Sequence, residues 1–384
     1  MDFDFLQPVE ESVLAHTLLM PEQVLGRSLK IHTLKDGFPE LNNVKIAIIG
    51  LQETRNSFYD FHDTFDLDAF RLEFYGLYPG NWDITIADFG TITNGASVED
   101  TYFAVQQICD FTYKRSIIPI FIGGSQDITL PMYRAYSNLD SYINITAVDN
   151  RFDFGEPGQL ISSKSYMSKI ILDEPNRLFN FCNLGYQTFY NAQEELDLLD
   201  RLFFESYRLG NLVSDISLVE PVLRDTDLLS IDLKSMKSIE TGSKTSYPNG
   251  FDALQICAIA RYAGLSDRIS SLGIFEIPNK SLSHALVAQL IWYFVEGVRF
   301  RVNEYPFSVK SDCDCYHVPM ENENLTFYKS NISGRWWVEV PRINKQNNKK
   351  VQNTLLPCTH QDYLDACNQI TPERWWKSFR RSLI

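Results

Sequence analysis

The sequence predicts an α/β protein, a three-layer α/β/α architecture around a mostly parallel, doubly wound sheet. Three observations carry this. Residues 117–122 and Ile143–Val148 are apolar runs of strand length, rich in β-branched side chains, with helix-forming sequence between them. Continuous apolar runs of this kind are strands covered on both faces, as in a parallel βαβ unit. Strand-like and helix-like stretches then alternate from Val44 to Val302, which is the pattern of a doubly wound sheet. Finally, each central run stops abruptly in small or polar residues: Gly123, Gly124, Ser125, Gln126 and Asp127 after the first, Asp149, Asn150, Arg151 and Asp153 after the second. In such sheets these residues gather at the carboxyl edge, where ligands sit.

Taken in order, residues 1–43 form an N-terminal extension with one amphipathic helix and no expected strand. Residues 44–50 are the first strand, and 83–88 a weaker one by alternation. Val98–Tyr113 has helical spacing, with Ser97 as N-cap and Glu99 and Asp100 in the first turn. Strands follow at 177–183, Leu228–Asp232 and 269–276, with helices at 192–207, 250–263 and 282–302. Residues 303–384 are a C-terminal extension: a hairpin of 324–328 and 335–340 through Ser333 and Gly334, a polar loop at 344–350, and short helices at 361–367 and 372–379.

The formal charge of −14 argues against nucleic-acid binding. From Pro341 onward eight Lys/Arg stand against three Asp/Glu, a net of +5 that leaves −19 in residues 1–340. A basic tail on an acidic body implies self-docking or an acidic partner. The acidic first residues lack a signal-peptide pattern and no apolar run reaches the ~20 residues of a membrane span. Seven scattered cysteines then read as free thiols, so the expectation is a soluble, cytoplasmic protein. No G-x-G-x-x-G or G-x-x-x-x-G-K-[ST] segment is present, which removes dinucleotide and P-loop readings. Gly124-Ser125 has the place of a nucleophile elbow, but the motif needs glycine where Asp127 stands.

The segments Gly123-Gly-Ser-Gln-Asp127, Asp149-Asn-Arg-Phe-Asp153 and Ser230-Ile-Asp-Leu-Lys-Ser-Met-Lys-Ser238 resemble, in order and spacing, the G-G-D-H-S, D-A-H-x-D and S-x-D-x-D-x-x-D-P motifs of the arginase–agmatinase–formiminoglutamase (ureohydrolase) family. The resemblance spans about residues 44–302. It implies an arginase-like fold and hydrolysis of guanidino or amidino C–N bonds by a hydroxide bridging two manganese ions. In the family pattern both cations share the carboxylates matching Asp149 and Asp232. The first adds a histidine and the carboxylate matching Asp153; the second adds another histidine and a further aspartate. Here Gln126 stands for the first histidine, Arg151 for the second, and Lys234 for that aspartate.

The replacements matter more than the losses, since two of them put a cation where a cation would have bound. At ~4 Å and an effective dielectric of ~20, one unit-charge pair is worth about 4 kcal/mol, so a divalent ion beside Arg151 and Lys234 meets several such repulsions. The resemblance therefore implies a pseudoenzyme without a metal cofactor. In it Arg151 and Lys234 pair with Asp149, Asp153 and Asp232, and the carboxylates keep Lys234 charged. It acts as a binding or assembly protein, with a protein partner or as a homo-oligomer. One alternative is a hydrolase using a single divalent cation, Mn or Mg, on Gln126, Asp149, Asp153 and Asp232. Another is a sensor of a guanidino or amino-acid ligand at Glu276, which stands in Phe-Glu-Ile-Pro where the family has E-x-N-P.

Four of the six tryptophans lie in two Arg-Trp-Trp triplets, Arg335, Trp336, Trp337 and Arg374, Trp375, Trp376. They either fasten the C-terminal extension to the body or form a partner-binding surface, since Trp and Arg are typical hot spots. Cys313, Cys315, His317, Cys358 and His360 are a candidate zinc set with atypical C-x-C spacing.

Overall fold

A computed structural model describes residues 3–59, 64–139, 142–156, 158–243, 247–304, 313–321, 324–344 and 349–383. His62 and part of the expected 344–350 loop lie outside them. The main sheet contains β1 (Leu6–Gln7), β2 (Lys30–Ile31), β3 (Val44–Leu51), β4 (Thr85–Ile92), β5 (Ile118–Ile122), β6 (Ile143–Val148), β7 (Leu178–Tyr186), β8 (Glu205–Arg208), β9 (Leu228–Asp232) and β10 (Ser271–Phe275). Its order is β1-β4-β3-β5-β10-β9-β6-β7-β8, with β2 also beside β4. Every pairing is parallel except β1 with β4.

The period of two builds the layers. Ile46 and Ile48 point into one core while Ala47 and Ile49 point into the other. The first core is covered by α1 (Glu11–Leu19), α2 (Leu67–Gly76), α10 (Ala253–Gly264) and α11 (Ser281–Arg299), the second by α3 (Val98–Tyr113), α4 (Thr129–Ala135) and α5 (Tyr166–Ile171). Ser97 caps α3 as expected: its backbone N–H donates to Asp100 Oδ2 at 2.7 Å and its Oγ accepts from Asp100 N at 3.2 Å.

Three expectations change. Residues 6–7 and 30–31 of the N-terminal extension are strands laid on β4; two-residue strands leave no periodicity to read. The helix expected over 192–207 ends early. α6 spans Gln193–Arg201, Phe203 takes a positive φ of 55°, and Glu205–Arg208 joins β7 in parallel. Sheet pairing overrides the local helical spacing there. Between β8 and β9 lie α7 (Leu209–Ser214) and α8 (Val219–Arg224), and after β9 comes α9 (Ser238–Thr241).

The C-terminal hairpin is the middle of a four-stranded antiparallel sheet: β11 (Cys313–Pro319), β12 (Asn324–Ser330), β13 (Trp336–Asn344) and β14 (Lys349–Cys358), in sequence order. Asn344, Lys349 and Lys350, expected in a loop, are strand residues. Helices α12 (His360–Cys367) and α13 (Glu373–Arg381) close over it around Phe327, Val338, Leu356 and Trp375. The basic tail docks on its own body. Arg374 Nε bonds Glu205 Oε2 at 2.6 Å, Arg381 reaches Glu205 Oε1 at 3.4 Å, and Arg224 donates to the carbonyls of Trp336 and Cys358 at 3.1 Å each.

Candidate functional site

The carboxyl ends of β5, β6, β9 and β10 bring Gln126, Asp149, Arg151, Asp153, Asp232, Lys234 and Glu276 together. Gly123 makes the turn after β5, at φ 92°, where a Cβ would stand 2.5 Å from Leu51 O. Only glycine fits there. Asp153 and Glu276 also hold positive φ, 54° each, a backbone state that side-chain-bearing residues adopt at a cost and that clusters at working sites.

Asp149 and Asp232 serve their own turns first. Asp149 Oδ1 accepts from the backbone N–H of Arg151 at 2.9 Å, and Asp232 Oδ1 from that of Lys234 at 2.6 Å. Burial, the largest influence, raises all three aspartates above the usual carboxylate range; for Asp153 and Asp232 the neighbouring Asp149 charge adds to it. Asp149 and Asp153 stand within hydrogen-bond reach of each other. Asp149 Oδ2 is buried, and the side chains of Asp153 and Gln126 both lie within hydrogen-bond reach of this carboxylate.

This revises the expected ion network. The Arg151 guanidinium turns to the Tyr190 carbonyl, 2.5 Å from Nη1, and lies 4.9 Å from that ring's centre, with Tyr247 also bonded to it. Asp153 acts on it only as a more distant charge. Lys234 is 2% exposed, with Nζ 4.8 Å from the centre of the Tyr59 ring. Burial pulls its pKa below the ordinary lysine value although Asp232 and Glu276 oppose this. Desolvation outweighs the pull of these two carboxylates on its pKa.

The sequence did not reveal the loop after β3, which fills the mouth of the site. Ser57 Oγ donates to Glu276 Oε2 at 2.8 Å, and Phe58 N to Ser163 Oγ at 3.0 Å. Ser163 N returns a bond to Asn56 O at 2.9 Å. Tyr59 slots between Lys234 and Lys164. Lys164 Nζ also sits 3.2 Å from the Phe58 ring centre, and burial brings its pKa down to about 8. No motif marks these residues; a serine four positions beyond Glu53 is the only hint. Glu276 is fully buried and its second oxygen accepts from Gln126 N at 3.2 Å. Burial raises it to about 7. A cleft of about 860 Å³ lies away from the aspartate nest, between the N-terminal extension and α2, beside Arg71 and Asn279.

The donor set is poorly matched to two manganese ions. Both ligands private to the second position are cationic side chains. Among the described residues no three His, Cys, Asp or Glu side chains converge as a metal-binding group. The candidate zinc set is divided by the strand pleat. Cys313, Cys315 and His317 share one face of β11, whereas Cys358 is buried in the core on the other and His360 stacks on Trp336 at 5.0 Å.

No protein-family model matches the sequence, and neither does any curated protein. Solved structures do. A manganese-bound Trypanosoma cruzi formiminoglutamase superposes with a TM-score of 0.62 at 17% identity, covering 68% of this chain and 96% of that one. The chain carries the arginase-superfamily fold. Bacillus subtilis formimidoylglutamase matches at TM-score 0.61 and 14% identity over 68% of this chain and 89% of its own. Thermoplasma volcanium agmatine ureohydrolase matches at 0.57 and 15%, over 77% and 100%. The remainder that the two formiminoglutamases leave uncovered, about 120 residues of this ureohydrolase-fold chain, corresponds in size to the N- and C-terminal extensions together.

Of the two Arg-Trp-Trp triplets, Trp336, Trp337 and Trp375 are buried. Arg335 and Arg374 make ion pairs with Glu220 and Glu205, and Arg224 lies 4.6 Å from the Trp337 ring centre. Arg335, Trp337 and Arg374 fasten the extension to the body, while Trp336 and Trp375 sit in the extension's own core. Trp376, 42% exposed against Phe203, is the exception. No described helix is long and apolar enough to cross a membrane.

Proposed function

We propose that this protein is a pseudoenzyme of the ureohydrolase fold, acting by binding or assembly, whose carboxyl edge has exchanged metals for fixed side chains. One observation carries the reading. The two positions private to the second cation are Arg151 and Lys234, and Lys234 is buried between Asp232, Glu276 and Tyr59. The residues here hold the nest with a shared acid proton, two backbone turns and a tyrosine plug. The protein therefore needs no cation to neutralise its carboxylates, and it presents no open coordination position to a substrate.

Elemental analysis of the purified protein tests this. After dialysis against manganese, well under one equivalent should remain, with no hydrolysis of arginine, agmatine or formiminoglutamate. Near two equivalents, or turnover, sinks the proposal.

A second reading rests on a separate observation: Gln126 Oε1 and Asp149 Oδ2 are buried oxygen acceptors lacking hydrogen-bond partners. With Asp153 and Asp232 they make an all-oxygen set of the kind that suits one Mg²⁺ or Mn²⁺. One equivalent of either metal, lost in Asp232→Asn, would favour it. Glu276 is a weak receptor for a guanidino ligand, because both its oxygens are already bonded; a thermal-shift screen with those three compounds decides that point.

A further inference from the structure

The outer edge of β11 has no neighbouring strand among the described residues, and its pleat sets Cys313, Cys315 and His317 on one face. Cys315 and His317 are exposed. Cys315 Sγ lies 3.8 Å from His317 Nε2, and His317 Nδ1 lies 3.2 Å from Thr326 Oγ1. Thr326 is the register partner of His317 across the β11–β12 ladder, so the strand pairing aims the ring. The tautomer with its proton on Nδ1 donates to Thr326 and leaves Nε2 open toward the thiol. Nucleophile, base and a group orienting the base thus stand in a row. All three lie far from the aspartate nest and play no part in the function proposed above.

We propose that Cys315 is a reactive thiol that forms mixed disulfides with low-molecular-weight disulfides. The thiolate is the attacking species in such exchange. The Cys315 proton passes to His317 Nε2, and the sulfur attacks one sulfur of the disulfide R–S–S–R. The S–S bond breaks as Cys315–S–S–R forms, and the departing RS⁻ takes the proton back from the imidazolium. The disulfide is the only oxidant required. Cys109, Cys182, Cys257 and Cys358 are buried and Cys313 is half-buried, which leaves Cys367 as the second exposed thiol. It lies against Tyr363 in place of an imidazole, and so provides an internal control in the same molecule.

The test treats the full-length protein at pH 7 with glutathione disulfide and, separately, with iodoacetamide, and follows each cysteine by peptide mass spectrometry. Cys315 should react about ten-fold faster than Cys367. His317→Gln should bring it down to the Cys367 rate, and Thr326→Val part of the way. The Cys367 rate and the circular dichroism of each variant report whether its fold is intact. Equal rates at the two cysteines in the native protein overturn the proposal. So does a Cys315 rate unchanged in folded His317→Gln, or modification confined to Cys313.

Discussion

Two nests of buried charge, built from similar residue types, end in opposite states. Where the C-terminal extension docks, Glu205 is fully enclosed, yet Arg374, Arg381 and Asn180 all bond its oxygens. Burial pushes its pKa up, but the two guanidinium charges and their hydrogen bonds win and hold it down at about 2. At the carboxyl edge, Asp149, Asp153 and Asp232 have cationic neighbours in sequence, but Arg151 bonds Tyr190 and the aspartates titrate upward. Burial is shared; at Glu205 two guanidinium groups in direct contact offset it, whereas the Arg151 guanidinium is turned to Tyr190. A charged residue within a few positions of a carboxylate says little about that carboxylate's state until the side-chain direction is known.

The sharpest way to break this contrast is Arg374→Ala. It leaves Glu205 enclosed without its main partner, and should cost about 3–5 kcal/mol in denaturant unfolding. A loss under about 1 kcal/mol would mean that the extension is not fastened by this pair. Acid comes next. The folded pKa of Glu205 lies below its unfolded one, so its contribution is present above the unfolded value near 4.5 and fades as pH falls toward about 2. That amounts to about 3 kcal/mol. Glu205→Gln should flatten this part of a stability–pH curve, and an unaltered curve would refute the assignment. Smallest is Asp153→Asn. Asparagine accepts the positive φ and keeps a donor toward Asp149, so stability should move by less than about 1 kcal/mol. A loss comparable to that of Arg374→Ala would show that Asp153 is an ionised, paired carboxylate and erase the difference between the nests.

Much of the fold was legible because strands 44–51, 118–122, 143–148, 228–232 and 271–275 are nearly all apolar and the helices between them keep their spacing. The elements that escaped were held by tertiary pairing. Glu205–Arg208 becomes a strand only because β7 lies beside it, and β11 and β14 are polar strands flanking a recognisable hairpin. The positions of the candidate site were legible as a set, since motif order places them at successive strand ends. Their bonding was not. Arg151 has a carbonyl and a ring offered to it by Tyr190, thirty-nine residues on, and the occupant of the site's mouth comes from residues 56–59.

That occupant bears on any small molecule offered to the protein. With Ser57, Phe58 and Tyr59 tied down at once to Glu276, Ser163 and the two lysines, entry is a contest between a solute and the chain's own side chains. The segment never diffuses away. An observed dissociation constant is then the intrinsic one divided by the fraction of molecules in which the segment has swung clear, so shortening or loosening this loop should tighten binding without touching a single ligand contact.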